Sequence, residues 1–193
     1  MSEQPLTQKQ EYPPGDLVIW IFIYAELFVF GILFVAYAFS RSNNIELFNE
    51  SQKLVNQNAG ALNTLILITS SFFVVRAVAA IREGKVKQCG HWLLATMAMG
   101  GGFIVVKLFE FSEKFGAGIN LSTNTFFTFY LSMTVFHFMH VAVGIIILGF
   151  VWWKNRTGGY SQKDHTGVET GASYWHMVDL VWIVLFPLVY VIR

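Results

Sequence analysis

Five stretches of this chain are each apolar over about 20 residues, the length a helix needs to cross the hydrocarbon of a bilayer. They lie near 17–40, 59–82, 91–112, 125–152 and 172–192. Polar loops at 41–58, 83–90, 113–124 and 153–171 separate them, short enough to make sequential spans antiparallel neighbours. The expected fold class is all-α, an integral membrane bundle of five transmembrane helices. One membrane domain covers 1–193, and a polar tail occupies 1–15. Pro13-Pro14-Gly15-Asp16 reads as a stop-and-start signal, with Asp16 as N-cap of the first span. No internal repeat is convincing, and five is a poor number for an inverted-repeat transporter.

Charge content agrees with that reading. Only 13% of residues are charged, mean hydropathy is +0.51, and 54% of residues are hydrophobic. A soluble domain has roughly 25% charged residues, so this chain has too few to cover a water-facing surface. Formal net charge is +1, with no basic surplus that would suggest nucleic acid. The single cysteine, Cys89, excludes an intramolecular disulfide and a cysteine-rich metal site. Met1–Tyr12 is polar and carries Glu3 and Glu11, which is wrong for a signal peptide. Lys9, Arg82, Lys85, Lys87, Lys154, Arg156 and Lys163 fall on the N-terminal side, against Arg41, Lys53, Lys114 and Arg193 opposite. This bias predicts the N-terminus in the cytoplasm and, with five spans, the C-terminus outside.

Polar residues inside apolar helices are the candidate functional positions, because the bilayer makes them costly. Glu26 lies near mid-membrane, with no charge on its own helix to pair with. It reads either as a proton-responsive or lipid-facing carboxyl, or as a neutral acid tying two helices together. Arg76 is within snorkelling reach of the cytoplasmic side, where an interfacial anchor or a lipid headgroup contact is expected. Asn63 and Thr69-Ser70-Ser71 mark the second span, the small hydroxyls favouring close packing. Gly100-Gly101-Gly102 removes side chains from a turn of the third span and admits a neighbour or a lipid tail. Lys107 and Glu110 share one face and are expected to form an ion pair.

His137 and His140 stand one turn apart in the fourth span. Histidines hydrogen-bonded across helices are the plainer reading. Haem remains arithmetically open through pairing with His91 or His176, while zinc lacks a compact ligand set. His91 is expected to mark the cytoplasmic boundary of the third span. His176 and Asp179 lie on one face of the last span, where an interfacial structural pair outranks a catalytic dyad.

Taken in order, these segments resemble subunit III of the haem-copper oxidase superfamily over nearly the whole chain. The matching runs are Ala25-Glu26-Leu27-Phe28-Val29-Phe30, Leu62-Asn63-Thr64-Leu65 with Thr69-Ser70-Ser71, and Lys107-Leu108-Phe109-Glu110-Phe111. They continue through Thr134–Gly144 and His165-Thr166-Gly167-Val168-Glu169 to Tyr174-Trp175-His176-Met177-Val178-Asp179-Leu180-Val181-Trp182. The tail Phe186-Pro187-Leu188-Val189-Tyr190 and the short length most resemble the nitric-oxide-reductase-associated branch, often called NorE. Oxidase members typically have serine where Ala25 stands, glutamine at Lys107, and glycines at Val135 and Phe138.

The resemblance implies an accessory subunit of an oxidoreductase complex, with no catalytic centre, metal or cofactor of its own. Its expected partner is the catalytic subunit I-like protein of a haem-copper oxidase or nitric oxide reductase, which holds haem with or without copper. Structural phospholipids are expected in a cleft, with Glu26 as its carboxyl and Arg76 placed for lipid phosphate. Asn63, Lys107, Glu110, His137, His140, Glu169, His176 and Asp179 are expected to form the structural polar network. Packing, bound phospholipid and support of proton uptake would together sustain turnover. The competing reading is an independent membrane protein, either a proton-coupled transporter or a b-haem anchor.

Overall fold

The computed structural model describes residues 15–192, so the tail up to Pro14, Lys9 and Arg193 lie outside the described residues. The elements are α1 (Leu17–Ser42), α2 (Ile45–Gln52), α3 (Gln57–Arg82), α4 (Val86–Gly116), α5 (Thr125–Arg156) and α6 (Thr166–Phe186). A π-helical turn, Pro187–Val191, continues α6. Among the described residues five helices are long and apolar enough to cross a membrane, the last running Thr166–Val191. The all-α membrane bundle expected from hydropathy is the fold.

Side-chain oxygens start three of the spans. Asp16 accepts from Val18 N at 3.3 Å, Asn56 from Ala59 N at 3.1 Å and Asn124 from Phe127 N at 2.9 Å. Each satisfies one donor that a helix start leaves open.

The last span is the core of the bundle. Over its most apolar window α6 is 56% buried, against 11% for α1. It contacts α3, α5 and α1, and buries Trp175, Val178, Val181, Trp182 and Leu185. Two glycines on facing helices make room for one indole. A Cβ built on Gly100 would stand 2.5 Å from Trp175 Cη2, and one on Gly144 would stand 3.0 Å from its Cε3. The glycine turn of the third span therefore admits a tryptophan. A Cβ built on Gly101, by contrast, would meet nothing of a neighbouring element within 4 Å among the described residues.

Several boundaries differ from the sequence reading. The expected loop 41–58 contains α2, whose Phe48 packs edge-on to Tyr37 and Phe126 at 5.3 and 5.6 Å. Gln52 Nε2 also donates to Val189 O at 2.7 Å. Gly84 turns the chain sharply at φ 75°, a conformation glycine adopts without strain. That turn lets α4 begin at Val86, more than a turn before His91. Similarly, α6 begins at Thr166 rather than near 172. Helices here outrun the apolar stretches because polar end turns continue them past the hydrocarbon.

Candidate functional site

Polar side chains gather at three depths of the bundle. Deepest in burial is the group around Lys107, whose side chain is 0% exposed. Its Nζ donates to Glu110 Oε2 at 3.0 Å and to Tyr190 OH at 2.8 Å. Tyr190 donates onward to Glu110 Oε1 at 2.9 Å, and Tyr130 OH donates to that same oxygen. The ammonium also stands over the rings of Phe111 at 4.9 Å and of Tyr130, Trp182 and Tyr190 at 5.6 Å. The ion pair expected from spacing is present, but two phenols and an aromatic cage complete it. A buried pair needs such additional bonds, since stripping water from two charges is otherwise unfavourable. Tyr130 and Tyr190 are the residues sequence reasoning missed. The available signal was that a buried phenol normally finds a hydrogen-bond partner.

The second group surrounds Glu26. Rather than standing alone, its Oε2 lies 3.0 Å from Nε2 of His140, on a helix 114 residues away. His140 Nδ1 sits 2.8 Å from Phe136 O. A carbonyl only accepts, so Nδ1 carries a hydrogen. One proton then lies between Nε2 and the carboxyl: on nitrogen it gives an ion pair, on oxygen a neutral pair. Either assignment leaves no net charge in the membrane. Lys107, committed to Glu110 and Tyr190, is not the partner of Glu26. With both ring nitrogens engaged, His140 has no free lone pair for an iron.

A chain of smaller groups ties α6 to α3 and α4 nearby. Trp175 Nε1 donates to Ser70 Oγ at 2.9 Å, and Ser70 donates to Thr96 O at 3.2 Å. His176 and Asp179 do not bond to each other. His176 Nδ1 lies 2.8 Å from Ser71 Oγ, while Asp179 is buried with its Oδ1 unpartnered among the described residues.

At the end of the bundle where α1 starts, Glu169 collects four donors or partners. Arg82 Nη2 and Nε approach its Oε1 at 2.7 and 3.1 Å, His165 Nε2 at 3.3 Å, and Gly15 N donates to Oε2 at 3.3 Å. Asp16 N adds a bond to Thr170 Oγ1 at 3.1 Å. Arg82 and Thr170 are further members that the sequence reading did not single out.

Three candidates fall outside these groups. Arg76 is exposed and stacks over Trp92 at 5.7 Å. Asn63 and His137 are fully buried, and neither side chain has a hydrogen-bond partner among the described residues. His137 is instead walled by aromatic rings, Trp182 at 5.2 Å and Phe103 at 5.6 Å. The polar network expected as a whole is thus several local clusters, and two of its expected members take no part. Among the described residues no three His, Cys, Asp or Glu side chains gather as metal ligands.

The clusters join neighbouring helices, which defines a helix-bundle membrane protein held by buried polar pairs. The particular family is plain: the chain belongs to the cytochrome c oxidase subunit III family, whose model matches residues 15–192. Cytochrome c oxidase subunit 3 of Thermostichus vulcanus is 37% identical over 91% of this chain and 86% of its own length. Quinol oxidase subunit 3 of Bacillus subtilis is 29% identical over 98% of this chain and 93% of its own. Heme-copper oxidase subunit I+III of Aeropyrum pernix is 29% identical over 90% of this chain but only 22% of its own length.

Proposed function

We propose that this chain is the non-catalytic third subunit of a respiratory haem-copper complex in a bacterial inner membrane, packed against a catalytic subunit I that carries the haem. The observation that carries the reading is the Aeropyrum pernix relative, whose name joins subunits I and III in one chain. Two domains joined in one relative are commonly separate partners in another. The clusters described above suit the role, since they lock helices together and leave a wide apolar surface on α1 for a partner or lipid. Structural phospholipid and the Glu26–His140 pair complete the proposal, holding the catalytic subunit in a form that survives repeated turnover and proton uptake. Relatives named for cytochrome c and for quinol both match, so the electron donor is left to the rest of the complex. The resemblance of the Phe186–Tyr190 tail to the NorE branch supports counting a nitric oxide reductase beside the oxygen reductases as a partner.

Mild-detergent purification through a tag on this chain tests the proposal. A haem-bearing subunit I should co-purify, and deleting the gene should leave its haem in place while shortening its active lifetime. Purification alone with a Soret band of its own would support the b-haem anchor instead.

A further inference from the structure

A recess of about 420 Å³ opens between the start of α4 and the end of α5, on the membrane-surface end that holds Arg82 and Glu169. Its lining includes Lys87, His91, Leu94, Trp152, Asn155 and Arg156. Four features of this recess have no role in the clusters above. The start of α4 has no side-chain cap and no acidic residue in its first turn, where Lys87 stands instead. A helix start presents open N–H donors and partial positive charge, and so favours an anion. Neither Lys87 nor Arg156 is in an ion pair among the described residues; Arg156 lies over the Trp152 ring at 5.5 Å. The nearby acid, Glu83, is already held by Lys85 at 2.6 Å, which keeps its carboxyl below the usual carboxylate range. Finally, Asn155 is only 3% exposed; its Nδ2 donates to Val86 O at 3.0 Å, and its Oδ1 has no partner among the described residues.

We propose that this recess binds the phosphodiester of an anionic phospholipid whose headgroup carries a hydroxyl, as phosphatidylglycerol does. Lys87, Arg156 and the open N–H groups of α4 receive the phosphate. Asn155 Oδ1 accepts from the headgroup hydroxyl, and an acyl chain descends along Leu94 into the bilayer. Trp92, Trp152 and Trp153 ring this end of the bundle, as indoles do at the headgroup level. The inference deepens the subunit reading by naming one lipid and its residues.

The test uses the full chain purified with its partners from membranes into vesicles of mixed phosphatidylglycerol and phosphatidylcholine. Retained lipid is read by native mass spectrometry. Each basic side chain near a membrane surface is worth about fivefold in binding, so Lys87→Gln with Arg156→Gln should lower phosphatidylglycerol retention by on the order of 20-fold. Lys154→Gln with Lys163→Gln, at the same end but outside the recess, should change it little. Helicity and co-purification of the partner verify that each variant is folded. Unchanged retention in the first pair, or equal loss in both pairs, overturns the site. Inorganic phosphate that binds through Lys87 and Arg156 while lipid retention ignores them would mark a free-phosphate site and overturn the lipid. None of these results depends on which catalytic subunit co-purifies, so the subunit reading is decided separately.

Discussion

At Lys107 and Glu110, charge balance decides what substitutions do. Glu110→Gln alone leaves a fully buried ammonium uncompensated and should destabilise by about 3–5 kcal/mol, as breaking one half of a buried pair does. Adding Lys107→Gln makes the cluster neutral and should recover most of the loss. A double-mutant cycle from thermal unfolding in detergent measures the coupling; additive losses would show that the pair is not a unit. Glu26 gives a gentler case. In Glu26→Gln the amide still donates to His140 Nε2, whereas Glu26→Ala leaves that nitrogen unpartnered, a loss of about 1–3 kcal/mol. Hydrogen exchange along α1 should therefore quicken in the alanine variant and hardly move in the glutamine variant. Equal exchange in the two would mean that His140 does not hold α1.

Glycine positions separate packing from composition at the level of helices. Gly100 and Gly101 are adjacent, yet only the first faces Trp175. Gly100→Ala should cost about 1–3 kcal/mol through overpacking. Gly101→Ala meets open space and should be neutral or stabilising by up to about 1 kcal/mol, from helix propensity. Melting temperatures of the two variants decide the point. Similar logic explains what was legible beforehand. The five spans were visible because lipid imposes a long, continuous apolar signal. The short α2 was not, because Ile45–Gln52 is mostly polar and is fixed by Phe48 and Gln52 reaching partners far along the chain. Lys107 and Glu110 could be paired from a spacing of three, whereas Glu26 and His140 meet only once α1 packs on α5. His137 and Asn63 look like bonding residues by type, and only the packed core shows them without partners.

Across the molecule, the basic residues divide between the two ends of the bundle. Arg82, Lys85, Lys87, Lys154 and Arg156 gather where α1 and α6 begin, and Arg41, Lys53 and Lys114 lie at the other end. Reporter domains fused to the two termini should read cytoplasm at the N-terminus and periplasm at the C-terminus. The same compartment for both would remove a span from the bundle. The burial of α6 also imposes an order of assembly. Synthesis runs at about 5–20 residues per second, and α6 follows α1 by more than a hundred residues. The earlier spans therefore wait in the bilayer on the order of 10 s before the helix carrying Trp175 and Trp182 emerges. Until then Gly100 and Gly144 face no indole, Ser71 has no histidine, and the bonds from Gly15 and Asp16 to α6 cannot form. A chain stopped short of α6 keeps the packing of α3 on α4 and of α4 on α5 but loses every contact that α6 makes to α1, α3 and α5.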